Sequence, residues 1–276
     1  MGEANRKKTA TSRFIEQHPY CALCGGVVRA TTREHIPPTS LFDRSHRPNE
    51  VIVPACDGCN RGTSTADLIT SIISRWNYDT DQQEVADHAR LVKRLRIQCP
   101  KAIAEWTKLG FIERKKAKQH LQAHGVNVPL GAGVTSIGKT TIPYLNLFCY
   151  KLTLGLHFKH LGAPLVNSGR VSATWRRKED FVRLGLPKEI LDMLPRYSTL
   201  RQGTWDTSSE FEYRYDANLT DGIFGCFARL RTGLFITGFA IGNVELLPET
   251  ERTEDWIRPA DLLSILHKVE FERRLI

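Results

Sequence analysis

Cys21-Ala22-Leu23-Cys24, Glu34-His35-Ile36-Pro37-Pro38 and Cys56-Asp57-Gly58-Cys59-Asn60 decide how the amino-terminal part of this chain is read. Two CxxC knuckles about thirty residues apart fit one tetrahedral zinc ion. Zinc prefers thiolates, and four of them close its shell, so an ion held this way is structural. The span between the knuckles is poor in apolar residues, so metal binding would supply much of its folding free energy. A redox CxxC is one rival, but that motif comes singly beside a βαβ pattern, and neither condition holds. Accidental spacing of unligated cysteines is the other.

Outward from the knuckles, the stretch from Val27 to Thr32 reads as a short strand reaching Glu34-His35, and Pro37-Pro38 must end it. The stretch from Asp43 to Glu50 is a polar loop. Val51-Ile52-Val53 reads as a second strand that feeds Cys56. Ser64-Thr65-Ala66-Asp67 has the form of a capping box, with Leu68, Ile69, Ile72 and Ile73 as the apolar face of the helix it opens. The expectation is a compact strand–loop–strand–helix unit over residues 14–75.

Beyond it, Val85, Ala89, Val92 and Leu95 recur at helical spacing, and a second helix is expected from Lys101 to Gln122, interrupted near Gly110. Residues 76–126 therefore form a helical region, followed by a Gly- and Pro-rich linker over 127–138. Tyr144 to His160 reads as a helix with a broad apolar face. In Phe211-Glu212-Tyr213-Arg214-Tyr215-Asp216 the period changes to strict alternation, which places three aromatics on one strand face. Ile223 to Leu230 and Leu234 to Ile241 form a hairpin through Thr232-Gly233, and Asp261 to Phe271 is a closing helix. Residues 140–276 are thus an α+β domain with antiparallel strands, and the fold class is α+β throughout.

The chain has 276 residues, 41% hydrophobic and 25% charged, with a net charge of +9. The length suggests about two domains. Four thiolates on one Zn²⁺ would subtract about two charges and leave it basic, which suits a phosphate-rich partner without specifying one. Seven cysteines, an odd number, with no apolar segment after Arg6, Lys7, Lys8 and Arg13, argue against a secreted disulfide framework and for a cytoplasmic (in a eukaryote, nuclear) protein. No run has the length of a membrane span.

CxxC, an acid-His step, then CxxC-Asn resembles the HNH endonuclease superfamily with its ββα-metal core, and within it the zinc-stapled branch that includes phage recombination endonucleases. The resemblance covers about residues 18–75. It implies that Cys21, Cys24, Cys56 and Cys59 hold structural zinc. It also implies that Glu34 and Asn60 hold a catalytic Mg²⁺ or Mn²⁺, and that His35 is the general base for hydrolysing DNA phosphodiesters to 5′-phosphate and 3′-hydroxyl ends. Two positions depart from the family pattern. The acid is Glu rather than the commoner Asp, which moves the carboxylate by about 1.5 Å. Val51 stands where the family has a middle Asn, and Asn49 lies two positions early. Either the loop carries Asn49 into place or that residue is absent.

Each piece also has a plainer reading. Glu34-His35 is ordinary as a solvated loop pair and Asn60 as a helix-start residue; Asp67 reads as a helix-terminal acid or a further metal contact, and His46 as a surface residue or a phosphate contact. Arg90, Lys93, Arg94 and Arg96, and then Arg114, Lys115, Lys116 and Lys118, can track a phosphate backbone or be solvated helix faces. Trp175-Arg176-Arg177-Lys178 can stack on a base or be a strand with Trp inward. The alternative functions are a non-catalytic zinc module that recognises nucleic acid, and a protein-interaction scaffold. The carboxy-terminal domain is left for targeting, homo-oligomerisation or a protein partner.

Overall fold

The computed structural model describes residues 9–43, 46, 48–76, 82–128, 133–251 and 255–274. Helix α1 (Ala10–Gln17) leads to the first knuckle. Strands β1 (Thr32–His35) and β2 (Ile52–Ala55) pair antiparallel, with Glu34 opposite Val53 and His35 opposite Ile52. Two helices follow, α2 (Asp57–Gly62) and α3 (Ser64–Ile73). Next come α4 (Gln82–Gln98), α5 (Pro100–Thr107) and α6 (Phe111–Ala123). The long α7 (Ile142–Leu161) introduces the carboxy-terminal part. There β3 (Arg170–Arg177) is followed by α8 (Lys178–Leu184) and α9 (Lys188–Met193). Then come β4 (Arg196–Thr199), β5 (Arg201–Gln202), β6 (Trp205–Asp206), β7 (Phe211–Asn218), β8 (Ile223–Leu230) and β9 (Leu234–Ile241). Helix α10 (Asp261–Arg274) closes the described chain. The class is α+β, with an antiparallel five-stranded sheet in the order β3-β9-β8-β7-β4.

Helix α7 is the spine. It is apolar on every side, the mark of a helix with neighbours all round. It packs on β3 and β9 of the large sheet, and also on α3, β2 and α10. One continuous core therefore runs from Cys21 to Val269. Gly155 permits a close approach, since a Cβ there would lie 2.6 Å from Cγ1 of Ile36, just after β1. No helix among the described residues is long and apolar enough to cross a membrane.

Several local expectations are corrected. The first strand starts at Thr32, because Val27 and Val28 are exposed and residues before it make only the single bridge Tyr20–Arg29. Residues 10–13 belong to α1 rather than to a loose arm; residues 1–8 lie outside the described residues. On α4 the buried stripe runs through Asp87, Leu91 and Leu95, while Val85 is 55% exposed, so the helix is turned from the face its valines suggest. No capping box opens α3: its N-cap, Thr63, makes no side-chain cap bond and gives its hydroxyl to the carbonyls of Cys59 and Asn60, while Asp67 turns to α7. Of the expected linker, residues 129–132 lie outside the described residues, and 133–138 form neither helix nor strand. The interruption expected near Gly110 is present: α5 and α6 are parted at residues 108–110.

Trp175 sits partly buried on β3 and donates from Nε1 to Asn146 Oδ1 at 3.0 Å, so it packs inward with Arg176 outward. Phe211 and Tyr213 are core residues of β7. Replacing Gly155 with Ala should cost about 1–3 kcal/mol, the usual range for overpacking. The same change in an Ile36→Ala background should cost less, and urea unfolding of the four chains measures the coupling.

Candidate metal centres and the face around His35

The first knuckle is a tight turn. Gly26 N–H donates to Cys21 O at 2.9 Å and Val27 N–H to Cys24 O at 3.3 Å. Gly25 and Gly26 lie at φ +65° and +76°, where a Cβ is strained. Ala22 N–H donates to Pro54 O at 2.8 Å, which ties this knuckle to β2. The second knuckle is the start of α2. Cys56 is its N-cap, and its Sγ accepts from Cys59 N–H at 3.4 Å.

The four sulfurs are buried and lie within 4.8 Å of one another. A tetrahedral ion with Zn–S bonds of about 2.3 Å needs sulfurs about 3.8 Å apart, so the cluster can hold a metal such as zinc. The thiols cannot all ionise unaided. Hydrogen bonding from Cys21 and Cys59 draws Cys24 down to about 4, while hydrogen bonding with Cys21 and Cys24, and burial, push Cys59 far up. Four thiolates packed this closely need a cation among them.

Strand β1 presents two different faces. Successive residues of a strand point to opposite sides. Glu34 is buried, and His35 is only half-buried. His35 Nε2 lies 3.1 Å from Asn49 Oδ1. The loop before β2 thus carries Asn49 to the imidazole.

Asn60, in the first turn of α2, donates from Nδ2 to Thr32 Oγ1 at 2.8 Å and to Arg33 O at 3.4 Å. The carbonyl of Arg33 can only accept, so the nitrogen must face it and the amide oxygen is left over. Thr32 and Glu34 are two residues apart on β1 and share a face, so Asn60 is anchored on Glu34's side of the strand.

Lys151 completes this side. It lies in the middle of α7, fully buried, and its Nζ reaches Glu34 Oε1 at 2.6 Å and Asp67 Oδ2 at 2.7 Å. The structure thus joins Glu34 to Lys151 and Asp67; no hydrogen bond links Glu34 to His35 or Asn60 among the described residues. Two carboxylates face one ammonium, and Asp67 Oδ1 is buried without a hydrogen-bond partner. Burial dominates at Asp67, and although Lys151 opposes it, the carboxyl is pushed up to about 6. The facing carboxylates outweigh burial at Lys151, whose ammonium is held above its ordinary range.

Arg94 also acts on Asp67, which sets the exposed basic face of α4 (Arg90, Lys93, Arg94, Arg96) beside this network. The cluster on α6 (Arg114, Lys115, Lys116, Lys118) stands on a helix with no buried residue. His46 is no free surface residue: its ring stacks on Trp205 with centroids 3.6 Å apart, and its Nδ1 lies 3.5 Å from Glu210 Oε2.

Sequence reading missed Lys151 altogether. The available signal was a lone lysine in the middle of a 20-residue apolar helix, since a buried ammonium demands acid partners. Comparison with known proteins adds no relative: no family model, no curated protein and no solved structure matches this chain.

Removing only Lys151, by Lys151→Met, leaves two uncompensated buried acids and should cost about 3–5 kcal/mol in urea unfolding. Adding Glu34→Gln and Asp67→Asn to the same chain should recover part of that loss. A chelator should expose Cys21, Cys24, Cys56 and Cys59 to alkylation before Cys149 and Cys226, which lie in the core between α7 and β8, as read by mass spectrometry.

Proposed function

We propose that this chain is a divalent-metal-dependent endonuclease of the HNH type that cuts DNA, with His35 as general base. The observation that carries the reading is the His35–Asn49 hydrogen bond. It supplies the imidazole with the orienting amide that the sequence pattern left in question. The four-cysteine cluster, read as a structural zinc site, supports it by pinning the segment before β1 to the start of α2.

With Asn49 Oδ1 accepting, His35 Nε2 carries the proton and Nδ1 is the free base. That nitrogen takes the proton of an attacking water. The water oxygen bonds to phosphorus, and the 3′ oxygen departs with the bonding pair. Asn60 and Glu34 suit a hard cation: the amide oxygen is unspent, and Glu34 retains Oε2 while Lys151 holds Oε1. Lys151 orients that carboxylate, and the Glu34–Lys151–Asp67 group keeps one net negative charge when both acids are ionised. Such a cation, when bound, would polarise the phosphate and stabilise the leaving oxygen. The exposed guanidinium and ammonium groups of α4 suit the flanking phosphates of the DNA.

Wild-type protein should nick plasmid DNA in Mg²⁺ or Mn²⁺. His35→Ala should lower the rate about 10²–10⁴-fold, the usual contribution of a general base, with zinc content and DNA binding retained. Asn49→Asp should move the acid limb of the pH–rate profile to higher pH, because a carboxylate beside the ring favours the imidazolium. Binding without cleavage under any divalent metal would instead assign a zinc-stabilised recognition module.

A further inference from the structure

A second cluster lies where the loop after β1 meets the large sheet. Asp43, His46 and Glu210 each offer a ligand atom, all within 4.8 Å of one another. Glu210, just before β7, is 2% exposed. Its Oε1 accepts from Asp43 N–H at 2.8 Å and from Arg231 Nη2 at 2.9 Å. Arg231 Nη2 also donates to Asp43 Oδ1 at 2.7 Å. Both carboxylates therefore have one oxygen held and turn the other away from Arg231. The freed Glu210 Oε2 is buried with no hydrogen-bond partner, and so is the atom it faces, His46 Nδ1.

The separation of those two atoms is informative. At 3.5 Å they are too far apart for a good hydrogen bond. Bonds of about 2.0–2.2 Å from one tetrahedral ion to a ring nitrogen and a carboxylate oxygen put those ligands about 3.4 Å apart. Guanidinium groups back these carboxylates. Arg231 meets Glu84 at 3.3 Å as well, and Arg75 lies 3.9 Å from Asp43. Among the described residues, Asp43, Glu84 and Glu210 thus share the guanidiniums of Arg75 and Arg231.

The surroundings are built to hold the ligands still. His46 is stacked on Trp205, and Arg231, at φ 50° in the tip of the β8–β9 hairpin, also donates to Leu41 O at 3.0 Å. A non-glycine residue held in that backbone region is over-determined by its surroundings.

We infer that Asp43, His46 and Glu210 form a second metal site, taking a zinc-class divalent ion through one imidazole nitrogen and two carboxylate oxygens. A nitrogen ligand favours zinc, copper, iron or nickel over magnesium, calcium or manganese. Three protein ligands leave one position for water. The ion joins the loop between β1 and β2 to the start of β7, and Arg231 orients both carboxylates from behind as an outer partner. This site does not depend on the chain being a nuclease.

The test is metal stoichiometry on the full chain, stripped and reloaded with Co²⁺. Wild type should take up one equivalent with thiolate-to-cobalt charge-transfer absorption and, besides any ion held at Glu34 and Asn60, one further equivalent without it. His46→Ala and Glu210→Gln should each bind one equivalent fewer than wild type, with that absorption unchanged. Glu210→Gln keeps an acceptor for Asp43 N–H and Arg231, and His46→Ala keeps every bond of Arg231. The charge-transfer band therefore reports in both variants that the cysteine cluster is intact. Uptake of only the thiolate-bound equivalent by wild type overturns the proposal. So does an uptake outside the cysteine cluster that is equal in wild type and both variants, whose ions would sit elsewhere, as at Glu34 and Asn60 or at His120 and His124.

Discussion

One ammonium group holds the amino-terminal unit to the rest of the molecule. Lys151 Nζ lies in the middle of α7 and is bonded to Glu34 on β1 and Asp67 on α3. Removing an ammonium from water costs several kcal/mol, and only close, well-aligned carboxylates offset it. The interaction is therefore as much a constraint as a source of stability. It fixes the register of α7 against β1 and α3, because no other depth of the helix brings the charge to both acids. The apolar contacts around it, including the approach of Gly155 to Ile36, tolerate sliding far less once that point is set.

The same constraint explains which parts of the fold were legible in the sequence. Cys21, Cys24, Cys56 and Cys59 announce themselves because a metal site needs specific atoms at specific spacings. The β7–β9 strands were readable because alternation and a two-residue turn signal are local. Asp67 was misread for the opposite reason. Its local pattern, Ser64 followed by an acid three residues on, is that of a capping box, yet its partner is 84 residues away. A long-range ion pair overrides a local cap, and nothing within α3 reveals it. Val85 and Ala89 misled in a similar way: the buried face of α4 passes through Asp87, whose charge hides its depth. At the candidate site, His35 and Asn60 were identifiable, whereas the reach of Asn49 depends on how the loop before β2 is held from outside.

That outside hold comes from the carboxy-terminal unit. Arg201 N–H donates to Glu50 Oε2 at 2.8 Å, Arg231 grips Asp43, and Trp205 covers His46. Three separate points of the sheet and its loops therefore fasten the segment that ends in Asn49. A hairpin loop of this length on its own would pay a conformational cost for every residue ordered. Here the cost falls on a preformed surface. The carboxy-terminal unit thus helps to set where Asn49 stands beside the imidazole.

The balance at Glu34 is the last step. A carboxylate bound to a buried ammonium is a weaker draw for a second cation than a free one, yet this one shares its ammonium with Asp67. Two acids and one base leave a residual negative charge, and Asp67 Oδ1 has no hydrogen bond to spread it. A further positive charge near Glu34 Oε2 would lower the free energy of the whole group, at a position that Asn60 flanks from the same face of β1. Arg94 already contributes in that direction from α4. The buried trio therefore does two things with the same atoms: it locks α7 in place, and with both acids ionised it leaves a net negative charge on that side of β1.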